Sequence, residues 1–255
     1  MKQYYFLVGL PRAGNTLLSS LINQNPNVCM TANSILIYML WHLEFVRTDR
    51  EYANFPDKKS FNNVTHNLFD TYYSDYKANK IIDRGSWGDE FSLKQIKENV
   101  TDKPKFIIMY RPVVECLASF VKVGSRFKGQ ELLDFYLPEG GMITKSMNAI
   151  KNLMANNEDY LFLQYNDLVS NPIDTVKKVF EFIDEEYIPI RVTNLDQIKI
   201  NNTVYDDSVL DSPLHKIKTD VIKSNDIDVE QWLDNNQIET ALAYDNIIKE
   251  LANVH

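Results

Sequence analysis

A glycine loop near the start of the chain constrains the fold more than any other feature. Residues 4–8 form a short apolar run, residues 9–16 read GLPRAGNT, and leucine and isoleucine then recur at helical spacing through residue 22. An apolar run ended by glycine and proline is typical of a buried strand, and the periodicity that follows is typical of an amphipathic helix. The segment therefore predicts a strand that leads through a tight loop into a helix, the first unit of an α/β fold.

Later segments repeat this alternation of apolar runs and helical patterns. KFIIMY at 105–110 and YLFLQY at 160–165 have the composition of buried strands, and KIID at 80–83 is a shorter strand. Apolar stripes at helical spacing follow both longer runs. The pattern predicts a three-layer α/β fold of the P-loop nucleotide-binding type, with a central parallel sheet flanked by helices. Ligands of such sheets bind beyond the carboxyl ends of the strands.

Composition limits the domain organisation and the partners. The chain has 255 residues, is 44% hydrophobic and carries a net charge of -8. No linker or repeat divides it, so we expect a single domain over residues 1–255, with a helical insertion at 35–78. The acidic balance argues against nucleic acid and anionic membranes as partners. A polyanionic ligand must therefore be met by a local cluster of cations.

Cysteine usage and the N-terminal run give further expectations. Cys29 and Cys116 are the two cysteines, and the sequence has no closely spaced pairs of cysteine and histidine. We therefore expect neither a disulfide framework nor a metal site. Gly9 interrupts the first apolar run too early for a signal peptide or a membrane span, so a cytoplasmic location is expected.

The glycine loop has the chemistry of an anion-binding site. Backbone N–H groups at the start of a helix carry partial positive charge and bind phosphate groups. Gly14 lets the backbone approach a ligand closely, Thr16 offers a hydroxyl, and Arg12 adds a permanent charge. Asn15 stands where a nucleotide triphosphatase has its lysine. The loop thus predicts phosphate binding without a grip on a β,γ-phosphate pair.

The segment GLPRAGNTLL resembles the 5'-phosphosulfate-binding loop of sulfotransferases that use 3'-phosphoadenosine 5'-phosphosulfate (PAPS), and it is closer to the tyrosylprotein and bacterial type than to the cytosolic aryl type. The resemblance implies that sulfonate is transferred from PAPS, which explains the missing lysine because this donor has no β,γ-phosphate pair. The resemblance also implies that the residues of this loop bind the cofactor: Pro11, Arg12, Ala13, Gly14, Asn15, Thr16 and Leu17.

Other positions are similar to the family's nucleotide site. Arg111 follows KFIIMY, and Ser119 comes eight residues later, opposite an apolar helical stripe, as in the family's 3'-phosphate motif. Tyr165 would lie near the nucleotide, and Lys216 and Lys218 stand where the family has a basic segment over the 3'-phosphate. The resemblance thus implies that all five residues bind the cofactor.

Charge develops on the transferred group and on the leaving phosphate during transfer, so positioned cations should provide most of the catalysis. Arg12 is the first choice and Arg84 the second, since the family has a cation at the end of this strand. No metal is required.

A hydroxyl acceptor also needs a general base. Relatives that act on protein tyrosines have a glutamate shortly after an NPNV-like segment, but here residues 29–34 read CMTANS. Either the base comes from elsewhere, with Asp83, Glu44 and His42 as candidates, or the acceptor has a low pKa, or the chain is not a catalyst. The acceptor is expected to be a small molecule, a glycan or a peptide that offers a hydroxyl or an amine.

Two other functions remain open at this stage. One is a P-loop kinase or nucleotide hydrolase in which Asp83 is a Walker-B-like metal ligand, against which Asn15 weighs. The other is a nucleotide-binding protein without catalysis. Ten aromatic residues in the insertion at 35–78 suggest an aromatic-lined acceptor site, although core packing of its helices is expected to account for most of these rings.

Overall fold

The computed structural model describes residues 2–200, 203–205 and 227–252. Its main sheet has five strands: β1 Gln3–Gly9, β2 Val28–Asn33, β3 Lys80–Arg84, β4 Lys105–Tyr110 and β5 Asp159–Gln164. A two-stranded antiparallel ribbon consists of β6 Lys199–Ile200 and β7 Thr203–Val204. The α-helices of the described residues are α1 Asn15–Ile22, α2 Leu36–Val46, α3 Arg50–Asn54, α4 Lys58–His66, α5 Leu68–Tyr72, α6 Glu90–Asn99, α7 Val113–Lys122, α8 Gln130–Tyr136, α9 Met142–Ala155, α10 Tyr165–Ser170, α11 Pro172–Phe182 and α12 Asn235–Ala252.

The five strands are all parallel and lie in the order β2-β3-β1-β4-β5. Phe6 on β1 pairs with Asp83 on β3 and with Phe106 on β4, so β1 is central. The chain first builds the β2-β3 side of β1 and then crosses to build the β4-β5 side. A crevice therefore opens at the carboxyl end of β1, which is the usual ligand position in such sheets.

The central strands are apolar on both faces because helices cover both. Phe6, Leu7 and Val8 on β1 are buried, as are all residues from Phe106 to Tyr110 on β4. Helix α9 packs against β1, α1 packs against β2 and α11, and α12 packs against α7 and α9. The predicted three-layer α/β fold with a central parallel sheet is confirmed. Among the described residues, no helix is both long and apolar enough to cross a membrane.

Some predicted boundaries were wrong, and one strand was missed. No long apolar run marks β2, because Thr31 and Asn33 interrupt it, yet parallel pairing with β3 makes it a strand. Arg84 is the last residue of β3 rather than the residue after it, and Tyr165 begins α10 instead of ending a strand.

The insertion at 35–78 contains α2 to α5, but not all of its aromatic side chains are packed in the core. Phe69 and Tyr73 are buried as expected. The expectation of core packing is wrong for α2, where three aromatic side chains with 57% to 64% exposure lie along one face: Tyr38, Trp41 and Phe45. Helix α2 has apolar residues on its outer face as well as on its buried face.

Candidate active site

The glycine loop takes up two left-handed backbone conformations between β1 and α1. Arg12 has φ 66° and Gly14, the residue before the first turn of α1, has φ 88°. Left-handed backbone costs about 1 kcal/mol or more for a residue with a side chain, and such strain is concentrated at functional sites. The first N–H groups of α1 have no acceptor within the helix, so the turn presents them to a ligand.

The buried side chain of Asn15 stabilises this loop through a hydrogen bond to its backbone. It is 5% exposed, and its Nδ2 donates to the Leu10 carbonyl at 2.9 Å. A Cβ at Gly9 would lie 2.1 Å from Asn15 Oδ1, so the glycine makes room for this side chain. The side chain of Asn15, predicted to bind cofactor, therefore points toward the strand, and only its backbone N–H belongs to the helix terminus.

Arg12 and Arg111 meet beside Ser119. Arg12 Nε donates to Ser119 Oγ at 3.2 Å, and Arg111 Nη1 donates to the Arg12 carbonyl at 3.2 Å. The guanidinium carbon of Arg111 lies 4.1 Å from the centre of the Tyr165 ring. The structure thus brings together, from four separate segments, the residues that the resemblance assigned to the 5'- and 3'-phosphates and to the nucleotide.

Arg111 has unused hydrogen-bonding capacity although it is 4% exposed. Its Nε donates to Glu115 at 2.9 Å, one turn along α7, and its Nη1 contacts Arg12. Its Nη2 is buried and has no hydrogen-bond partner among the described residues. A buried donor on a charged group is costly to leave unmatched, so this nitrogen marks a place for an anionic acceptor.

Burial and the adjacent positive charge of Arg111 lower the pKa of Arg12 from its ordinary value. Both causes disfavour the charged form of the guanidinium. An anion at the N-terminus of α1 would reverse the second effect and would strengthen its own binding. The electrostatics of Arg12 therefore suit a ligand with negative charge.

Arg84 approaches the loop from the other side of β1. Its Nη1 lies 3.2 Å from Thr16 Oγ1. Its backbone is fixed to β2 because its N–H donates to Thr31 Oγ1 at 3.0 Å and its carbonyl accepts the Ser34 N–H at 2.9 Å. Arg84 at the end of β3 thus contacts the first turn of α1, and Arg111 after β4 contacts the loop that precedes it.

Asp83, predicted as a base, is a buried anchor. It is 0% exposed, and it accepts hydrogen bonds from Ser34 Oγ at 2.9 Å, from Trp87 Nε1 at 2.8 Å and from the Tyr73 hydroxyl. Burial raises its pKa to about 6 against the opposing effect of these donors. A direct role for Asp83 as base or as a Walker-B-like metal ligand has no geometric support, because both oxygens are already engaged.

The remaining predicted residues are less informative. His42 is exposed, and Glu44 is paired with Arg47 at 2.8 Å. Lys216 and Lys218 lie outside the described residues. In the part of the chain that the structure describes, no three His, Cys, Asp or Glu side chains are grouped so that they could hold a metal ion.

The sequence profile of the sulfotransferase family matches residues 5–189. The matched range includes the five strands of the main sheet and the site residues Arg12, Arg111, Ser119 and Tyr165. The chain belongs to the sulfotransferase family. The prediction from the glycine loop, a PAPS-dependent sulfotransferase family member, is confirmed at the level of the family.

Solved sulfotransferase structures share the fold. The sulfotransferase domain of the olefin synthase of Synechococcus PCC 7002 is 16% identical with a TM-score of 0.56, over 95% of this chain and 94% of that chain. The sulfotransferase domain from the curacin biosynthetic pathway is 12% identical with a TM-score of 0.60, over 95% and 97%. A sulfotransferase from Alicyclobacillus acidocaldarius is 11% identical with a TM-score of 0.51, over 96% and 94%. No curated protein matches this sulfotransferase.

Sequence reasoning missed several supporting residues. Glu115 lies four residues after Arg111, a helical spacing that favours ion pairs and that could have indicated the contact. Trp87 likewise lies four residues after Asp83, but the turn between them is not helical. Tyr73 reaches Asp83 from the end of α5, and no local pattern in the sequence predicts this contact.

Replacing Gly14 by alanine should destabilise this sulfotransferase beyond the backbone penalty. The new Cβ would lie 2.9 Å from the Tyr165 ring in addition to occupying φ 88°. Gly124 is the matched control, since its φ is 91° but no atom lies within 4 Å of its Cβ position. We expect Gly124→Ala to cost about 1–2 kcal/mol and Gly14→Ala to cost clearly more in urea unfolding. Equal losses would show that Tyr165 yields without cost.

Asp83 should make stability depend on pH. Its pKa is about 6 in the folded protein against an ordinary 3.8, so the folded state holds the proton more strongly. This difference contributes about 3 kcal/mol to the free energy of unfolding. The contribution is fully present below pH 4 and is lost as the pH rises to between 6 and 7. Urea unfolding of wild type and Asp83→Asn across this range measures it. The stability advantage of wild type should shrink with pH, and a constant difference would contradict the assignment.

Proposed function

We propose that this protein transfers a sulfonate group from PAPS to a hydroxyl or amine acceptor. The observation that carries the proposal is the meeting of Arg12, Arg111, Ser119 and Tyr165 at the N-terminus of α1, where the buried Nη2 of Arg111 has no acceptor in the part of the chain that the structure describes. A nucleotide with separate 5'- and 3'-phosphates matches this arrangement, because two arginines of different segments meet there, one in the loop and one directly after β4.

Each group has a distinct part in the proposed reaction. The backbone N–H groups of residues 13–17 and Arg12 bind the 5'-phosphate, and Arg111 with Ser119 binds the 3'-phosphate. Tyr165 contacts the nucleotide. Thr16 and Arg84 then face the sulfonate, which supports a catalytic role for Arg84 beside that of Arg12.

The transfer is an in-line displacement. When bound, PAPS supplies the sulfonate as a group with a good leaving phosphate. The bond from sulfur to the bridging phosphate oxygen breaks, and a bond from sulfur to the acceptor atom forms. Arg12 offsets the negative charge that grows on the leaving phosphate, and the acceptor proton passes to a base or to water. The products are adenosine 3',5'-bisphosphate (PAP) and the sulfated acceptor.

A kinase or nucleotide hydrolase is the weaker alternative. The position of the phosphate-binding lysine is taken by Asn15, whose side chain is bound to the Leu10 carbonyl. Asp83 is engaged by three donors instead of facing the loop. Calorimetric titration with PAP, ATP and GTP, with and without magnesium, separates the two functions. We expect magnesium-independent binding of PAP, whereas magnesium-dependent binding of ATP alone would contradict the proposal.

The acceptor side is assigned to the helices at 35–78. Ser34, which contacts Asp83 next to Arg84, leads directly into α2. The exposed rings Tyr38, Trp41 and Phe45 on that helix favour an acceptor with an apolar part, among small molecules, glycans and peptides. A panel of labelled-donor assays with phenols, sugars, lipid alcohols and peptides would identify its class.

Removal of Arg111 should weaken PAP binding most. Arg111→Ala deletes a buried guanidinium that faces the proposed 3'-phosphate, and we expect a loss of about 2–4 kcal/mol in calorimetry. Arg126→Ala is the control, because Arg126 is an exposed arginine just beyond α7. An unchanged PAP affinity of the folded Arg111→Ala variant would refute the 3'-phosphate assignment.

Removal of Arg12 should reduce transfer more than binding. With radiolabelled PAPS and the best acceptor of the panel, we expect Arg12→Ala to lower kcat at least 100-fold, the scale for losing a group that stabilises developing charge. Arg126→Ala again serves as the control. Equal transfer by wild type and Arg12→Ala for every acceptor would favour the alternative of a nucleotide-binding protein without catalysis.

A further inference from the structure

We propose that Asp245 on the C-terminal helix α12 is a positioning residue that holds Arg111 in place for the 3'-phosphate. This inference rests on the proposed function, since it concerns the same nucleotide site. Asp245 lies beyond residues 5–189, the part of the chain that the family profile matches.

Asp245 contacts the chain on both sides of Arg111. It is 1% exposed, and its Oδ1 accepts a hydrogen bond from the Tyr110 hydroxyl at 2.6 Å and another from the Val113 N–H at 2.6 Å. Tyr110 is the last residue of β4, and Val113 is the first residue of α7. One carboxylate oxygen thus spans the junction at which the sheet ends, Arg111 projects and the helix begins.

The junction needs such a partner because the sequence supplies no local cap. Pro112 stands at the N-cap of α7 and has no side-chain group that could accept a hydrogen bond from the first turn. The carboxylate of Asp245 performs this function from another helix, and its charge is favourable at the positive end of α7. Burial and Asp245 raise the pKa of Tyr110, so this phenol remains a donor.

The direction of α7 decides what Arg111 and Ser119 contact. Arg111 Nε is bound to Glu115 within the first turns of α7, and Ser119 Oγ accepts from Arg12 one turn later. A change in the start of α7 would therefore move the Arg111 Nη2 and the Ser119 hydroxyl together. Asp245 is hydrogen-bonded to the chain on either side of Arg111, so it acts on the proposed 3'-phosphate site through residues 110–113.

The test compares PAP with adenosine 5'-phosphate, which lacks the 3'-phosphate. The dissociation constant of adenosine 5'-phosphate divided by that of PAP measures the contribution of the 3'-phosphate alone. We expect Asp245→Ala to lower this ratio about tenfold, equivalent to about 1.4 kcal/mol, with the affinity for adenosine 5'-phosphate nearly unchanged. Asp245→Asn keeps an acceptor oxygen at the junction and should restore most of the ratio.

A matched control comes from the same helix. Gln237 is 3% exposed on α12, but its side chain donates to the Gly129 carbonyl at 2.8 Å, away from the junction. Gln237→Ala should lower stability without changing the ratio. If Asp245→Ala does not fold, Tyr110→Phe removes one of the two hydrogen bonds and should lower the ratio severalfold.

The outcomes separate this inference from the proposed function. If the wild-type protein binds both nucleotides equally, the 3'-phosphate assignment fails and the inference fails with it. If wild type prefers PAP and Asp245→Ala, or Tyr110→Phe where the first does not fold, keeps that preference, the inference alone is overturned. A ratio that falls equally in Gln237→Ala would also overturn it, because the effect would then be general loosening of α12.

Discussion

The site depends on two arginines that are held close together with little access to water. Arg111 donates to the carbonyl of Arg12, which stabilises the left-handed turn of the loop, and the charge of Arg111 lowers the pKa of Arg12. Glu115 and the Tyr165 ring offset part of the cost of burying Arg111. Among the described residues, the Nη2 of Arg111 still has no acceptor, so a further anion would complete the hydrogen bonding of this pair. The same arginine thus shapes the loop and favours a negatively charged ligand beside it.

The sheet explains why two groups of residues reach one helix terminus. Strand β1 ends in the loop, with β3 on one side and β4 on the other. Arg84 contacts Thr16 from the β3 side, where buried Asp83 joins Ser34, Tyr73 and Trp87 behind it. On the β4 side, Arg111 depends on the junction that Asp245 fastens. In each case a buried carboxylate fixes the chain next to an arginine.

Much of this arrangement could be predicted from local patterns. The strand and helix around the loop, the position of Arg111 after β4 and the orientation of Ser119 follow from apolar periodicity and spacing. Strand β2 could not be predicted because Thr31 and Asn33 break its apolar run, and its pairing with β3 overrides the weak local preference. The surroundings of Asp83 could not be predicted for a similar reason: the sequence identifies a carboxylate but does not reveal its burial or its three donors.

Local sequence was sufficient to predict the glycine loop between a strand and a helix, the asparagine at the position of a triphosphate-type lysine, the parallel α/β architecture and the resemblance to sulfotransferases. These depend on short segments whose backbone geometry and charge are set by neighbouring residues. Three features emerge only from the packed molecule: Asn15 turns inward to Leu10, Asp83 is a buried acceptor, and Asp245 caps α7. Such roles are set by hydrogen-bond partners and burial that come from distant parts of the chain, and these are fixed only when the strands and helices pack.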